Sequence, residues 1–304
     1  MKILPVVGAR PQFVKAAAVS RVLREMHSEV LVHTGQHYDD RMSEVFFREL
    51  DIPEPDHNLE VGSAGHSMQT GEMLIRMEPI FLEEKPDWVL VYGNTNSTLA
   101  GALVASKLHI PVAHVEAGLR SFNRDMPEEI NRVLTDHISQ LLFCPSQKAV
   151  ENLKIEGVTS GVHVVGDVMY DAILLHSDTA AGKASILSAL DLTPHRFLLA
   201  TIHRASNVDD IGKLINILET FSMLGKTVVF PVHPRTFKAI KAAGFSMGEN
   251  IKPIEPVGYL DMLWLEKNAR MILTDSGGVQ KEAYWFGTPC ITLREETEWV
   301  ETVE

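Results

Sequence analysis

The segment at residues 271–287, MILTDSGGVQKEAYWFG, constrains the fold of this chain more than any other stretch. Its first residues form a short apolar run typical of a buried strand, and residues 275–278 form a glycine-rich turn. Apolar residues then recur at helical spacing, and Thr288-Pro289 ends the predicted helix before a second apolar run. Strand, turn, helix and strand in this order predict a βαβ unit of a parallel sheet.

The turn of this unit is a predicted anion site. A helix N-terminus presents free N–H groups and the positive end of the helix dipole, so Ser276, Gly277 and Gly278 are predicted to bind a phosphate. An isolated Ser-Gly-Gly more often makes only a tight turn, and that is the alternative interpretation. Glu282 favours the functional one, because a carboxylate beside a bound phosphate can hold a ribose diol. The segment therefore predicts a nucleotide-diphosphate site.

Length and charge exclude several classes of protein. The chain has 304 residues, which predicts two domains, and a formal net charge of −12, which argues against binding to nucleic acid or to an anionic membrane surface. No apolar run is long enough to span a membrane, and the N-terminal run is too short for a signal peptide. Cys144 and Cys290 lie in apolar runs and are interpreted as buried free thiols. The predicted location is therefore the cytoplasm.

Strand-like runs alternate with helical patterns along the whole chain. This predicts an α/β fold with two doubly wound parallel-sheet (Rossmann-like) domains, one at residues 1–170 and one at residues 171–304. Ligands of such sheets bind beyond the carboxyl ends of the strands, where cationic and polar side chains recur in both predicted domains. These side chains are Arg10, Asn94, Glu116, Arg120, His203, Arg204, His233, Arg235 and Ser276. Their repetition predicts a ligand cleft between the domains.

Two local patterns give further predictions. Residues 53–72 are rich in Pro, Gly, Ser and His, which predicts a long loop. Pro127 is predicted to open a helix, because proline is favoured at the first helical position. The inner face of that helix is predicted from its apolar spacing to contain Ile130, Val133, Leu134 and His137.

Charged residues near the first strands have competing interpretations. Arg10 lies in a turn and is predicted to bind an anion, whereas Lys15 is either a phosphate ligand or a solvated surface charge. Both are unfavourable for the helix dipole, which prefers acids at this end. No metal site is predicted: His33 and His37 are four residues apart, but Gly35 lies between them and no helical pattern supports the spacing.

The cleft would combine anion-binding groups with two carboxylates. Glu116 follows a strand and Glu128 begins a helix, and paired carboxylates suit proton transfer on a sugar. Each carboxylate alone is weak evidence, because acids are common at strand ends and favourable at helix starts. Together with a diphosphate site, they indicate chemistry on a nucleotide sugar.

Seven motifs, in order along the chain, resemble the non-hydrolysing UDP-N-acetylglucosamine 2-epimerases. They are GARPQFVKAAAVSR, HTGQHYDD, VYGNTNST, HVEAGLRSFNRDMPEEINR, TIHRASNVD, HPR and DSGGVQKEAYWFGTPCITLREETEW. The resemblance implies a two-domain glycosyltransferase-B type fold, a homodimer, and no metal or nicotinamide cofactor. It also implies interconversion of UDP-N-acetylglucosamine and UDP-N-acetylmannosamine for surface polysaccharide synthesis. The implied mechanism is anti elimination of UDP through 2-acetamidoglucal, followed by re-addition.

The resemblance also implies residue roles, position by position. The implied catalytic positions are Asn94, Glu116, Glu128 and His203. The implied UDP-binding residues are Arg10, Lys15, Arg204, His233, Ser276, Gly277, Gly278 and Glu282. Family members of bacterial type bind a second UDP-N-acetylglucosamine as an activator, and the residues implied for that site are Gln36, His37 and Gln69.

Three departures from the family pattern affect the prediction. Asn94 stands where the family has a catalytic Asp, and an amide cannot exchange a proton. Ser206 stands where the family has Glu. Family members also continue past position 304, which predicts that the second domain lacks its usual C-terminal elements. We therefore predict slow or no turnover, with recovery in Asn94→Asp, and four alternatives remain: a non-catalytic nucleotide-sugar binder, a hydrolysing epimerase, an epimerase of UDP-2,3-diacetamido sugars and a glycosyltransferase.

Overall fold

The structure is a computed structural model that describes residues 1–36, 47–183 and 185–294. The described residues divide into two compact units, with the division between Ala172 and Ile173. Each unit is built around its own sheet.

Among the described residues of the first unit, eight parallel strands form one sheet. They are β1 Lys2–Val7, β2 Ser28–Glu29, β3 Val32–His33, β4 His57–Asn58, β5 Trp88–Tyr92, β6 Val112–Val115, β7 Leu141–Cys144 and β8 Val162–Val164. Their order is β4-β3-β1-β5-β6-β7-β8, and β2 also pairs with β1. Because all pairs are parallel, the carboxyl ends of the strands lie along one edge of the sheet.

Helices cover this sheet and bury its apolar strands. They are α1 Arg10–Met26, α2 His66–Glu84, α3 Asn96–Lys107, α4 Pro127–Ile138, α5 Gln147–Ile155 and α6 Val168–Lys183, the last of which continues into the second unit. In the core, Val6 and Val91 of the strands share a cluster with Met73, Met77 and Phe81 of α2. Burial of each such side chain contributes about 1.5–3 kcal/mol, so this layer holds the strand ends in place.

The second unit contains five described parallel strands in the order β11-β10-β9-β12-β13. They are β9 Leu198–Thr201, β10 Val228–Pro231, β11 Ile251–Ile254, β12 Met271–Thr274 and β13 Cys290–Thr292. Its helices are α7 Ile186–Ala189, α8 Ala205–Val208, α9 Ile211–Met223, α10 Pro234–Ala243, α11 Tyr259–Asn268 and α12 Gly277–Phe286. The strand order runs outward in both directions from β9, so β9 and β12 flank the switch point at which such sheets bind ligands.

The predicted fold class is confirmed, since both sheets are parallel and each alternates with helices. The segment that opened the sequence argument forms β12, α12 and β13, as predicted. Its helix ends at Gly287, which has a φ of 66° in the left-handed region that glycine adopts without a Cβ clash. The strands do not coincide with every apolar run: in the run at residues 30–32 only Val32 lies in a strand, and β2 lies just before it at Ser28–Glu29.

The prediction of one long loop at residues 53–72 is wrong. His57–Asn58 forms β4, and α2 begins at His66 after Gly65. Polar composition indicated a loop, but α2 continues to Glu84, and its buried face carries apolar side chains four residues apart. The apolar side chains beyond residue 72 therefore stabilise this helix, and most of the Gly- and Ser-rich residues precede its first turn.

The predicted inner face of α4 is also wrong. Ile130 is 47% exposed, Leu134 is 46% exposed and His137 is exposed, while Val133 is only partly buried. The buried face of α4 is polar and consists of Glu129, Asn131, Arg132, Thr135 and Asp136. Buried polar groups are tolerated where they are hydrogen-bonded or paired, and an apolar stripe alone does not reveal such partners.

Within the residues that the structure describes, no helix combines the length and the hydrophobicity needed to cross a membrane.

Candidate functional site

The turn after β1 is held by Gln12, a residue that the sequence analysis did not single out. The Gln12 carbonyl oxygen accepts hydrogen bonds from the Gly8 and Ala9 N–H groups at 2.9 and 3.1 Å. Its amide donates to the Tyr92 carbonyl oxygen at 2.9 Å and to the Thr98 hydroxyl at 3.0 Å. One buried side chain thus joins the turn after β1, where Arg10 begins α1, to the turn after β5.

Lys15 and Glu116 form a buried ion pair at the carboxyl edge of the first sheet. Their side chains are 7% and 8% exposed, so the interpretation of Lys15 as a solvated surface charge is wrong. The Lys15 ammonium also lies against Gly93, where an added Cβ would come within 3.1 Å of it. Gly93 has a φ of 63°, which a side chain would strain, so glycine is required at this close approach.

Glu116 has an unusual backbone for a residue with a side chain. Its φ is 74°, in the left-handed region that non-glycine residues seldom occupy. Such conformations cost about 1–3 kcal/mol and concentrate at functional sites. Glu116 adopts this conformation directly after the end of β6, and its carboxylate pairs with Lys15.

The turn that carries Asn94 is linked to α4. Asn131 donates from its amide to the Asn94 carbonyl oxygen at 3.0 Å and to the Asn96 side-chain oxygen at 3.2 Å. Glu128 lies one helical turn before Asn131 on α4 and is partly buried. Positions 94 and 128 therefore lie on two elements that Asn131 joins, and Lys15 joins the turn after β5 to Glu116.

The side chains predicted for an activator site attach to the start of α3. Gln36 accepts from the Ser97 N–H and hydroxyl groups at 3.2 and 2.7 Å. Gln69 accepts from the Asn96 amide at 2.8 Å and donates to the Gly62 carbonyl oxygen at 2.8 Å. His37, the third predicted residue, lies outside the described residues.

A buried charge network lies behind these turns. His114, fully buried on β6, has its Nδ1 atom 2.7 Å from Asp136 Oδ1 and its Nε2 atom 2.7 Å from the Gly93 carbonyl oxygen. Asp136 Oδ2 accepts from the Gly118 N–H at 3.1 Å and from Arg120 at 2.7 Å. Burial would raise the pKa of Asp136, but its bond with His114 and the charges of His114 and Arg120 outweigh burial and lower it.

Arg120 belongs to this network. It is therefore not available to bind a ligand beyond the strand ends, where the sequence analysis placed it. Its side chain is 1% exposed and is paired with Glu156 as well as Asp136. Glu156 also lies 3.0 Å from His137. Arg120 therefore joins the loop after β6 to the C-terminal ends of α4 and α5. Arg235, in the second unit, likewise donates to Asp209 on the surface at 2.5 and 2.6 Å.

In the second unit, Asp275 organises the switch point. Its buried carboxylate accepts from the His203 and Arg204 N–H groups at 3.0–3.1 Å and from the Asn207 amide at 3.1 Å. The His203 ring lies 3.2 Å from the same carboxylate and 6.0 Å, between centroids, from the ring of His233. Burial raises the pKa of Asp275, but the hydrogen bond and charge of His203 outweigh it and lower that pKa.

The predicted phosphate-binding turn begins α12. Ser276 is the N-cap, and its hydroxyl accepts from the Val279 N–H at 3.4 Å. Gly277 and Gly278 are the first two helical residues, and an added Cβ at Gly278 would meet only Ser276, at 3.8 Å. This turn follows directly after Asp275. The Asp275 carboxylate thus holds His203 and Arg204, the ring of His233 faces that of His203, and Ser276 is the next residue in the chain.

Glu282, the residue predicted to hold a ribose diol, is buried. It is 5% exposed, and the fully buried Glu266 of α11 lies beside it. Burial first, and then the charge of Glu282 and a hydrogen bond with it, raise the pKa of Glu266 well above its ordinary value. The pKa of Tyr259 rises for the same two reasons, burial and the charge of Glu282.

Known proteins resemble this chain in both sequence and structure. The sequence model of one family, described as UDP-N-acetylglucosamine 2-epimerase, matches residues 21–304. A Methanococcus maripaludis protein named UDP-N-acetylglucosamine 2-epimerase homolog is 56% identical over 308 residues, which cover 100% of this chain and 86% of that protein. The chain belongs to the UDP-N-acetylglucosamine 2-epimerase family.

Two further members of this family are informative. A Pseudomonas aeruginosa protein named UDP-2,3-diacetamido-2,3-dideoxy-D-glucuronate 2-epimerase is 51% identical over 311 residues, covering 100% of this chain and 86% of that protein. The Methanocaldococcus jannaschii UDP-GlcNAc 2-epimerase, crystallised with UDP-GlcNAc and UDP, matches with a TM-score of 0.93 and 49% identity. That match covers 100% of this chain and 86% of the crystallised chain. The resemblance of the seven motifs and the glycosyltransferase-B type of fold are confirmed.

Three residues of the candidate site escaped the sequence analysis: Gln12, His114 and Asp275. Each is fully or almost fully buried and acts on backbone groups of a turn. All three lie inside motifs that were recognised, so a polar residue in or beside an apolar run was the available signal. Their distant partners lie about 20 to 90 residues away and could not be identified from spacing.

Proposed function

We propose that this epimerase-family protein interconverts UDP-N-acetylglucosamine and UDP-N-acetylmannosamine by epimerisation at C2. UDP leaves by anti elimination as a carboxylate removes the C2 proton, which produces enzyme-bound 2-acetamidoglucal. Protonation of C2 on the opposite face and re-addition of UDP at C1 produce the epimer. The C2 proton is not acidic, so the step requires stabilisation of the departing phosphate charge.

The observation that supports this proposal most is the buried Glu116. A protein that only binds a nucleotide sugar has no need of a carboxylate in a strained backbone conformation, enclosed with a lysine at the edge of its sheet. We propose that Glu116 and Glu128 transfer protons and that position 94 takes part. Lys15 would neutralise Glu116 between proton transfers and, with Arg10, would bind phosphate.

The cluster around Asp275 is proposed to hold the diphosphate and the nucleoside. Ser276, Gly277 and Gly278 form the start of a helix, where backbone N–H groups stabilise anionic oxygens. His203, Arg204 and His233 would add positive charge or hydrogen bonds as UDP departs. Glu282 would accept hydrogen bonds from the ribose hydroxyls.

Proton exchange at C2 tests the proposal directly. UDP-N-acetylglucosamine would be incubated in deuterated water with the protein and with Asn94→Asp, and deuterium at C2 of the recovered UDP-sugars measured by NMR. We expect slow or no exchange with the native chain and an increase of about 10²–10⁴-fold in Asn94→Asp, the usual contribution of a general acid or base. UDP affinity, measured by calorimetry, should be equal in both proteins.

The same assay separates the alternatives. If both proteins bind UDP and neither exchanges the C2 proton, the protein is a nucleotide-sugar binder and the proposal is wrong. Free N-acetylmannosamine in the NMR spectrum would identify a hydrolysing epimerase. Transfer of the sugar to an added acceptor would identify a glycosyltransferase.

A UDP-2,3-diacetamido sugar is the second candidate substrate. The identity to a relative named for such a substrate is 51%, which is close to the 49% identity to the crystallised UDP-GlcNAc 2-epimerase. Both would use the same UDP contacts and the same carboxylates, because the reaction at C2 is the same. The two UDP-sugars, offered together in deuterated water, would compete, and the sugar that is labelled first identifies the preferred substrate.

Several further assignments complete the proposal. Residues 1–170 would carry the carboxylates and residues 171–304 would bind UDP. Gln36, His37 and Gln69 would contribute to an activator site, and the described pair, Gln36 and Gln69, both bond to the first turn of α3. We also propose a homodimer and a cytoplasmic location, where the free thiols Cys144 and Cys290 would stay reduced.

A further inference from the structure

A histidine behind the Asn94 turn holds two hydrogen-bond acceptors at once. His114 is fully buried on β6, with Nε2 2.7 Å from the Gly93 carbonyl oxygen and Nδ1 2.7 Å from Asp136 Oδ1. A carbonyl oxygen can only accept a hydrogen bond, and so can an ionised carboxylate. If Asp136 is ionised, both ring nitrogens of His114 must therefore carry a proton, and the ring is an imidazolium.

The surroundings of Asp136 favour its ionised form. Besides His114, its carboxylate accepts from the Gly118 N–H and from the Arg120 guanidinium, which is always charged. Burial works against this charge, yet the pKa of Asp136 is lowered. A protonated Asp136 would forfeit a charge-assisted bond to Arg120, which a buried cation loses only at a high cost.

The positive and negative charges around His114 balance each other. The cations His114 and Arg120 meet the anions Asp136 and Glu156, and His137 adjoins Glu156 at the surface end. The neighbouring thiol on β7, Cys144, is neutral because burial raises its pKa to about 12. On the other side of Gly93, Lys15 and Glu116 form a pair of their own. A charged His114 therefore leaves no excess charge in the buried layer.

We propose that His114 is a permanent imidazolium and a positioning residue that fixes the turn after β5 to the turn after β6. Asp136 bonds to His114, which bonds in turn to the Gly93 carbonyl oxygen in the turn after β5. Asp136 also accepts a hydrogen bond directly from the Gly118 N–H in the turn after β6. Gly93 precedes Asn94, and Gly118 follows Glu116 by two residues. The catalytic consequence, a fixed spacing between positions 94 and 116, rests on the proposed function, whereas the charge state of His114 does not.

Nitrogen-15 NMR of the intact protein tests the charge state without any assay of activity. The His114 ring signals would be assigned by their loss in His114→Gln. We expect both ring N–H groups to persist from about pH 5 to about pH 9, a range in which a histidine of ordinary pKa, about 6.5, would lose one of them. A ring with a single N–H at neutral pH would overturn the proposal, since the proton would then reside on Asp136.

Two variants test the positioning role. His114→Gln removes the imidazolium, and His57→Gln is the matched control, because His57 pairs with Glu84 in the same unit but has no described contact with either turn. In the Asn94→Asp background, His114→Gln should lower the rate of C2 deuterium exchange by about 10- to 100-fold, the usual effect of a supporting hydrogen bond, with UDP affinity unchanged. A loss no larger than that of His57→Gln would overturn the role.

The two proposals can fail separately. Absence of exchange in every variant would refute the epimerase function, whereas the backbone amide signals of Asn94 and Gly118 would still report on positioning. We expect these signals to shift in His114→Gln and to stay in place in His57→Gln, and equal shifts in both variants would overturn the role. If His114→Gln does not fold, the ring signals would be assigned by through-bond correlation from the His114 backbone, and the titration of the unaltered protein would still decide the charge state.

Discussion

Lys15 illustrates how tertiary contacts set the role of a single residue. By position it resembles a surface charge in the first turns of a helix, yet its ammonium is buried against Glu116 and Gly93. Glu116 adopts a left-handed backbone to meet it. The pair is therefore part of the architecture of the β5 and β6 turns as well as of the proposed chemistry.

Removal of one partner of this pair should be strongly destabilising. Lys15→Met leaves the Glu116 carboxylate buried without its cation, which costs about 3–5 kcal/mol in comparable pairs. We expect Lys15→Met/Glu116→Gln to recover part of that loss, because the uncompensated charge is gone. The free energy of unfolding in urea measures both, and Lys148→Met, in an exposed pair with Glu151, is the control that should change little. A double variant less stable than Lys15→Met would contradict the interpretation.

Asp275 makes a prediction about acid stability. Its folded-state pKa is lowered, so its contribution to stability is present above the unfolded-state pKa of about 3.9 and is lost as the pH falls through the folded-state value. Asp275→Asn should cost about 1–3 kcal/mol at about pH 7, the penalty of unsatisfied buried groups, and this difference should shrink below about pH 4. Urea unfolding at both pH values measures it.

Asp261 is the control for this prediction, because its pKa is shifted in the opposite direction. Burial raises the pKa of Asp261, so its charge opposes folding at neutral pH. As the pH rises from about 4 to about 7, the stability of Asp275→Asn relative to the native protein should therefore fall, whereas that of Asp261→Asn should rise. The same pH dependence in both variants would show that Asp275 does not act through its charge.

At the scale of the element, α4 has its polar side inward. Its buried face carries Asp136 and Arg132, and its apolar residues Ile130 and Leu134 are about half exposed. The inward polar groups satisfy the turns after β5 and β6, which have backbone groups that an apolar face could not satisfy. A polar edge of the sheet thus replaces the apolar core that a helix usually packs against.

Two substitutions on α4 distinguish these faces. Leu134→Ser should change the free energy of unfolding by no more than about 0.5 kcal/mol, as surface changes do. Asp136→Asn should cost about 3–5 kcal/mol, because it leaves His114 and Arg120 buried with too little negative charge. Thermal and urea unfolding measure both. A larger loss for Leu134→Ser would mean that its exposed face is covered by another part of the protein or by a second copy.

At the scale of the whole molecule, α2 carries an exposed apolar stripe. Met68, Ile75 and Leu82 are 76%, 69% and 55% exposed and stand seven residues apart, on one face of the helix. Such stripes mark surfaces that associate. The proposed homodimer gives this face a function.

The stripe makes the homodimer testable. Ile75→Asp should shift the sedimentation coefficient to that of a monomer, because a carboxylate in an apolar interface is unpaired. Met223→Asp is the matched control, since Met223 is a 79% exposed helical residue of the second unit. Far-ultraviolet circular dichroism should be unchanged in both. An Ile75→Asp protein that sediments like the native one would exclude this face as the interface.

Much of the fold and part of the site were predictable from local pattern. Apolar runs, glycine turns and helical spacing identified β12, α12 and β13, and the motifs identified the family. The partners of Gln12, His114 and Asp275 were not predictable, because each bonds to groups about 20 to 90 residues away. Spacing reports local geometry only, and these contacts depend on which strands become neighbours.

The amino-acid sequence by itself determined the alternation of strands and helices, the turn at Ser276 that begins α12 and the membership of an epimerase family. Only the tertiary structure decided which side of α4 is buried, that Lys15 pairs with Glu116, and that Asp275 gathers His203 and Arg204. The reason is physical. Periodicity arises from the backbone of one element, whereas burial of a charge depends on partners that only the packed sheet brings within hydrogen-bonding distance.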